Sequence, residues 1–144
     1  MTSELLEKCL IRIRRSNDIS VGTGAFIGDG RIITCAHVVA SALSLSTCPR
    51  EKPEQLVQIE FSYIAPGIVF QAQVIEWQPP EEDDTGDLAI LELHNSISPE
   101  SLSAITFKQE DNLWDHSFRV FGFPDEGGVH AHGKIRARLP SGWI

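Results

Sequence analysis

Apolar and polar residues alternate along most of the chain, which is the pattern of half-buried β-strands. Near the N-terminal end, Ile11 and Ile13 share one predicted face, and Arg12 and Arg14 share the other. The same two-residue period, or a short apolar run, recurs between turn-forming residues. The predicted strands are residues 9–14, 21–27, 31–34, 55–61, 68–77, 87–93, 105–107, 118–123 and 129–139, with another starting at residue 143. Only one or two helical turns are predicted, one of them at 38–45, so the pattern indicates an all-β protein.

The second and third predicted strands form a hairpin that leads to a histidine. Residues 28–30, Gly-Asp-Gly, can adopt the positive φ angles of a tight turn. Residues 31–34 then run through two small residues into a bend that carries His37. A histidine at the end of a buried strand has a rigid support, and its ring is free to point into a cleft. These are the requirements of a general base, so His37 is the first candidate catalytic residue.

Charge and cysteine content narrow the range of partners and compartments. The 144 residues include 20 acidic side chains against 12 lysines and arginines, a formal net charge of −8. This balance argues against nucleic acid or an anionic membrane surface as the main partner. The chain contains no long apolar segment of the kind that forms a secretory signal or a membrane span. Three cysteines, Cys9, Cys35 and Cys48, lack the spacing of a disulfide framework, so a reducing, cytoplasmic compartment is expected.

No metal ion or organic cofactor is predicted. The chain has no Cys-x-x-Cys pair that would hold a structural zinc ion. The acidic run at residues 81–84 lacks the alternating ligand spacing of an EF-hand, and we interpret it as a solvated loop. His130 and His132 would share one strand face and could bind a metal. Because no third ligand is evident, we interpret them as exposed polar residues.

A second candidate residue, Asp87, stands fifty residues after His37 and leads directly into the apolar strand 87–93. A carboxylate at the mouth of a buried strand is expected to be partly buried itself. Both candidates are therefore predicted at strand ends of one apolar scaffold, from which they can reach a shared cleft.

The segments around these two residues resemble the trypsin-like (chymotrypsin-fold) serine peptidases, especially bacterial intracellular members. The resemblance lies in the order and spacing of a histidine motif and an aspartate motif, and it extends over nearly the whole chain. A later segment is similar to the strand that opens the second barrel of that family. The matching segments are GTGAF at 22–26, IITCAHVV at 32–39, DLAIL at 87–91 and FRVFGFP at 118–124.

The resemblance implies an all-β, double β-barrel fold. The first barrel, carrying His37 and Asp87, would be complete within residues 1–98, and residues 99–144 would begin a second, incomplete barrel. His37 would act as the general base, and Asp87 would orient its ring. The implied function is that of a serine endopeptidase acting on protein or peptide substrates without a cofactor.

The chain departs from the family pattern at the nucleophile. The family's Gly-x-Ser-Gly turn, which supplies both the hydroxyl and the oxyanion-hole N–H groups, does not occur. Ser141 is followed by a glycine but preceded by Pro140, which has no N–H, so it is a weak candidate. The serine is therefore expected beyond residue 144, in a longer polypeptide, and this chain alone is expected to be inactive. A cysteine nucleophile in that missing part is an alternative.

Two further expectations complete the sequence-based picture. Cys35 is too near His37 in sequence to act easily as its nucleophile, and it is expected to pack as a small buried residue. The alternative to an enzyme is a non-catalytic trypsin-like module, in which the barrel serves protein–protein interaction or sensing within a larger assembly.

Overall fold

A computed structural model describes residues 7–83, 85–94, 104–105, 109, 111–122, 129–134, 138–139 and 142–143. Among these residues, ten strands and one short helix make up the regular elements discussed below. In chain order they are β1 (Leu10–Arg14), β2 (Ser20–Gly28), β3 (Arg31–Thr34), α1 (Ala36–Ala42), β4 (Val57–Glu60), β5 (Phe70–Gln78), β6 (Leu88–Leu93), β7 (Ser117–Gly122), β8 (Val129–Lys134), β9 (Arg138–Leu139) and β10 (Gly142–Trp143).

The first six strands close into an antiparallel barrel in the order β1-β2-β3-β6-β5-β4. The two ends of the sheet meet where β1 pairs with β4, with Ile13 opposite Ile59. Closure removes the unpaired edges that an open sheet of this size would expose. The predicted all-β class and the complete first barrel are therefore confirmed.

The barrel interior is filled by the apolar face of every strand. The alternation that predicted the strands places one side chain in two inside, and a fully buried isoleucine or leucine contributes about 1.5–3 kcal/mol relative to exposure. The largest of these buried side chains are Ile11, Ile13, Ile32, Val57, Ile59, Phe61, Val74 and Leu91.

The polar face of β1 differs from the simple alternation. Arg12 is only 5% exposed. Its guanidinium donates to Asp18 at 2.9 Å and to Glu60 at 3.2 Å, and it also bonds the hydroxyl of Ser20. Because these acceptors satisfy the charge, the side chain is held in the wall of the barrel and does not point into solvent.

The helical turn predicted at 38–45 starts earlier, and His37 lies in the helix α1 and not in a bend before it. Cys35 keeps an extended backbone, with φ −88° and ψ 145°, and serves as the N-cap residue. Its carbonyl oxygen accepts bonds from the N–H groups of Val38 and Val39. These bonds start the helix directly after β3, so His37 becomes its second residue.

The later strands form two separate pairs, β7 with β8 and β9 with β10. This arrangement agrees with the predicted strands at 118–123 and 143, and with an incomplete second barrel. The prediction of a single strand at 129–139 is wrong, because β8 and β9 are separate strands in different sheets. Of the predicted strand 105–107, only Ile105 is described. It lies outside any strand, but its N–H donates to the carbonyl of Phe26 at 2.8 Å. The rest of that prediction falls outside the described residues.

Within the described part of the chain, none of the helices has both the length and the apolar character that crossing a membrane requires.

Candidate active site

The position of His37 is set by close packing of α1 on β2. Gly22 lies against Val38, and a Cβ atom at residue 22 would come within 2.5 Å of a Val38 methyl carbon. A glycine is therefore required for the helix to lie this close to the strand. One residue further on, the hydroxyl of Thr34 donates to the carbonyl of Thr23 at 3.0 Å and joins the end of β3 to β2. Together these contacts fix the end of β3 and the start of α1, on which His37 lies.

The position of Asp87 depends on two successive residues with left-handed backbone. Gly86 has φ +80° and Asp87 has φ +61°. A Cβ atom at residue 86 would lie 2.3 Å from the carbonyl oxygen of Pro79, so only glycine fits there. Aspartate is one of the few residues that tolerate this conformation. The two residues turn the chain just before β6, where the Asp87 carboxylate lies against His37.

The structure brings His37 and Asp87 into direct contact through two hydrogen bonds. The ring Nδ1 of His37 lies 2.6 Å from Oδ2 of Asp87. The backbone N–H of His37 donates to the other carboxylate oxygen, Oδ1, at 2.8 Å. An ionised carboxylate can only accept, so Nδ1 carries the proton in this pair. The lone pair of the neutral ring is then on Nε2.

The electrostatics of the pair keep Asp87 ionised. Burial raises the pKa of this carboxyl, but the backbone N–H and the ring of His37, helped by the N–H of Ala36, lower it by more. The net pKa of Asp87 is below its usual value, so the carboxylate is anionic at neutral pH.

The two side chains differ in their access to solvent. The His37 side chain is 62% exposed and that of Asp87 is 31% exposed. The carboxylate thus lies behind the imidazole, and the outer edge of the ring is open. An open ring edge is where a base needs to meet a hydroxyl.

Cys35 does not pack as a buried residue: it is exposed. As the N-cap residue it precedes the compact turn of α1 and lies at the barrel surface, and its side chain makes no capping bond. Its sulfur, a His37 ring nitrogen and an Asp87 oxygen all lie within 4.8 Å of one another. Burial, with a contribution from the Asp87 charge, raises the pKa of the Cys35 thiol. Cys35 is thus a thiol and not a thiolate at neutral pH.

The other sequence candidates make no described contact with this pair, or they fall outside the described residues. Glu81, Glu82 and Asp83 are exposed, as expected for a solvated loop, and Asp83 accepts bonds from Thr85. His130 and His132 stand two apart in β8. Ser141 and Asp84 fall outside the described residues.

Sequence reasoning missed three features that position the pair. It placed Gly22 within a family motif and did not predict that α1 packs against it. It gave no role to Gly86. The only sequence feature that could have indicated one is the position of this glycine directly before Asp87. It also missed Arg15, whose guanidinium donates to the carbonyl of Ser41 at 2.9 Å and so holds the last turn of α1.

Comparison with solved structures shows the fold. An astrovirus serine protease is 18% identical with a TM-score of 0.59, over 91% of this chain and 63% of that one. A serine endoprotease from Yersinia pestis is 19% identical with a TM-score of 0.60, over 94% and 43%. An M. tuberculosis protein, in the inactive form of a serine-to-alanine mutant, is 23% identical with a TM-score of 0.62, over 94% and 56%. The chain thus spans about half of these structures, and no curated protein sequence matches it.

The remaining comparison is with a family model, and its match includes both His37 and Asp87. The model described as the trypsin-like peptidase domain matches residues 22–142, which is most of the chain. This chain belongs to the trypsin-like peptidase family.

Proposed function

We propose that this chain is the N-terminal portion of a serine endopeptidase domain in which His37 is the general base and Asp87 orients it. The proposal rests on two hydrogen bonds between these residues. Nδ1 of His37 lies 2.6 Å from Oδ2 of Asp87, and the backbone N–H of His37 donates to Oδ1 at 2.8 Å. One carboxylate thereby holds both the ring and the backbone of the same histidine. This arrangement fixes the tautomer that peptide hydrolysis by a hydroxyl requires.

The chemistry follows from the geometry of the pair. When a serine hydroxyl attacks a peptide carbonyl, its proton passes to Nε2 of His37, on the exposed edge of the ring. The imidazolium that forms is stabilised by the Asp87 carboxylate behind it. The same proton then passes to the leaving amine, which breaks the C–N bond and leaves an acyl-enzyme. Protein or peptide substrates are the proposed partners, and no cofactor takes part.

We place the nucleophile outside residues 1–144, in a second barrel of which residues 99–144 are the beginning. The support is the missing Gly-x-Ser-Gly turn, and Pro140 cannot donate an oxyanion-hole N–H. A cytoplasmic location is proposed on the three free thiols of Cys9, Cys35 and Cys48.

A fluorophosphonate probe tests this function, because it labels only an activated serine. The protein to use is the product of the whole gene, including any residues that follow 144. We expect labelling that His37→Ala abolishes and that His94→Ala, an exposed histidine beyond the far end of β6, leaves intact. Labelling that survives His37→Ala would contradict the proposed base. A folded whole protein that takes no label would instead support the non-catalytic module.

The 144-residue chain alone is expected not to hydrolyse peptides. A casein or fluorogenic-peptide assay at high protein concentration measures this directly. Turnover that Ser141→Ala abolishes would show that the nucleophile lies within the chain and would overturn this part of the proposal.

A further inference from the structure

We propose that Cys35, His37 and Asp87 form a binding site for a thiophilic divalent cation such as Zn²⁺. One sulfur, one imidazole nitrogen and one carboxylate oxygen lie within 4.8 Å of one another. These are the three donor types that bind Zn²⁺ in proteins, and catalytic and regulatory zinc sites commonly use three protein ligands and a water molecule. The sequence alone does not predict this site, because it favours a buried Cys35 that packs away from the His37 and Asp87 side chains.

The distances require only a small adjustment of side chains. Ligand bonds to Zn²⁺ of about 2.0–2.3 Å place tetrahedral ligand atoms about 3.3–3.8 Å apart. The sulfur must therefore move inward by up to about 1.5 Å, and Nδ1 and Oδ2, now 2.6 Å apart, must separate by about 0.7 Å if Nδ1 is the ligand. His37 is exposed and Cys35 is at most partly buried, so their side chains can turn without disturbing the packed core.

The fold holds the three donors near one another and leaves the Cys35 sulfur without a capping hydrogen bond. Cys35 is the N-cap of α1, but its side chain makes no capping hydrogen bond. His37 follows two residues later on the same helix. Asp87 is directed at both by the left-handed turn at Gly86. The exposed outer side of the group leaves room for water as a fourth ligand.

Binding releases the thiol proton of Cys35 to solvent and takes up the one lone pair of the His37 imidazole. If the cation binds Nδ1, the ring proton moves to Nε2, and if it binds Nε2, that lone pair is consumed. In both cases Nε2 can no longer accept a proton from a hydroxyl. The cation would therefore inhibit the enzyme, a consequence that rests on the proposed function, whereas the binding itself does not.

Cobalt absorption spectroscopy on the untagged 144-residue chain tests the binding. Co²⁺ bound through a thiolate gives a sulfur-to-metal charge-transfer band in the near ultraviolet, and Zn²⁺ should displace it. We expect the band in the native chain, its loss in Cys35→Ser, and its persistence in the matched control Cys48→Ser. The affinity for Zn²⁺, measured by competition, should fall at least about tenfold in Cys35→Ser and His37→Gln, because loss of a direct ligand exceeds the cost of losing a supporting one.

Three outcomes would overturn the site: no thiolate band, a band that survives Cys35→Ser, or a band lost in Cys48→Ser. Circular dichroism of each variant establishes that it is folded, and His37→Gln repeats the test should Cys35→Ser not fold. None of these measurements needs a nucleophile, so they stand apart from the fluorophosphonate experiment. In the whole protein, Zn²⁺ should suppress labelling by the fluorophosphonate. The Cys35→Ser change should restore that labelling in the presence of Zn²⁺. Labelling unaffected by saturating Zn²⁺ would overturn the inhibitory role alone.

Discussion

At the scale of single residues, the site depends on how one carboxylate is used. Both oxygens of Asp87 accept a bond from His37, one from the ring and one from the backbone. The backbone bond holds the carboxylate in place even when the ring turns. The ring bond decides which nitrogen carries the proton. The same residue therefore combines a structural task with an electrostatic one, and substitutions of Asp87 can separate the two.

Replacing Asp87 by asparagine should abolish most activity while keeping the fold. The amide can accept from the backbone N–H, but it cannot stabilise an imidazolium and it favours the wrong ring tautomer. We expect labelling of the whole protein by a fluorophosphonate to slow by about 10⁴-fold, the loss typical of this change in serine proteases. The matched control is Asp29→Asn, also at a left-handed position, in the β2–β3 turn. Equal loss in both variants would contradict the assigned role.

The lowered pKa of Asp87 also makes a prediction about acid stability. Its pKa in the folded chain is below the unfolded value of about 3.9. The ionised carboxylate therefore stabilises the fold fully at pH values above the unfolded pKa, and this contribution is lost as the pH falls through the folded pKa. The free energy of unfolding, measured with urea between pH 7 and pH 3, should fall more steeply with decreasing pH for the native chain than for Asp87→Asn. Parallel curves would contradict the prediction.

At the scale of elements, the important contact is that of α1 on β2. The helix has only seven residues, so its own hydrogen bonds cannot hold it. It is held by Val38 against Gly22 on one side and by Arg15 on the Ser41 carbonyl at its last turn. The place of His37 is thus decided by what the helix packs on and not by its helix propensity.

A double-mutant cycle tests this packing. Gly22→Ala would place a methyl group about where a Val38 methyl lies, and it should destabilise the fold by about 1–3 kcal/mol. Val38→Ala removes the opposing methyl groups, so the double variant should be more stable than the sum of the two single changes. Denaturant unfolding measures all four proteins. Strict additivity would show that the two residues do not compete for the same space.

At the scale of the whole molecule, the barrel closes at the seam between β1 and β4. Arg12 and Glu60 are register partners across that seam and also form an ion pair, with 6% and 12% of their side chains exposed. Glu60 also lies 3.8 Å from Arg14, so removal of Arg12 leaves this nearly buried carboxylate with only the longer contact. A buried charge that loses its best partner is strongly destabilising.

Arg12→Ala should therefore destabilise the chain by about 3–5 kcal/mol. The expected reason is that the Glu60 carboxylate keeps only its longer, 3.8 Å contact with Arg14, and adding Glu60→Leu to the variant should recover part of the loss. Arg31→Ala is the control, because its pair with Glu92 is half exposed and should contribute less than about 1 kcal/mol. Thermal and urea unfolding of the four proteins give the comparison. A double variant no more stable than Arg12→Ala would contradict this account.

Much of the fold could be predicted because a two-residue period has a direct physical meaning: alternate side chains face opposite sides of a strand. The predictions failed where tertiary contacts override the two-residue period. Arg12 looked solvent-facing, yet it is buried by partners six and forty-eight residues away. Cys35 looked like a small buried residue, yet the start of α1 leaves it exposed.

The sequence by itself determined that the chain is all-β, which strands alternate, and which histidine and aspartate belong together by family resemblance. These properties depend on local composition and on short motifs, both of which can be read along the chain. Only the tertiary structure decided that both Asp87 oxygens bind His37, that Gly22 and Gly86 make this possible, and that Cys35 joins the group. Such facts depend on distances between residues far apart in sequence, and these distances exist only once the barrel has closed.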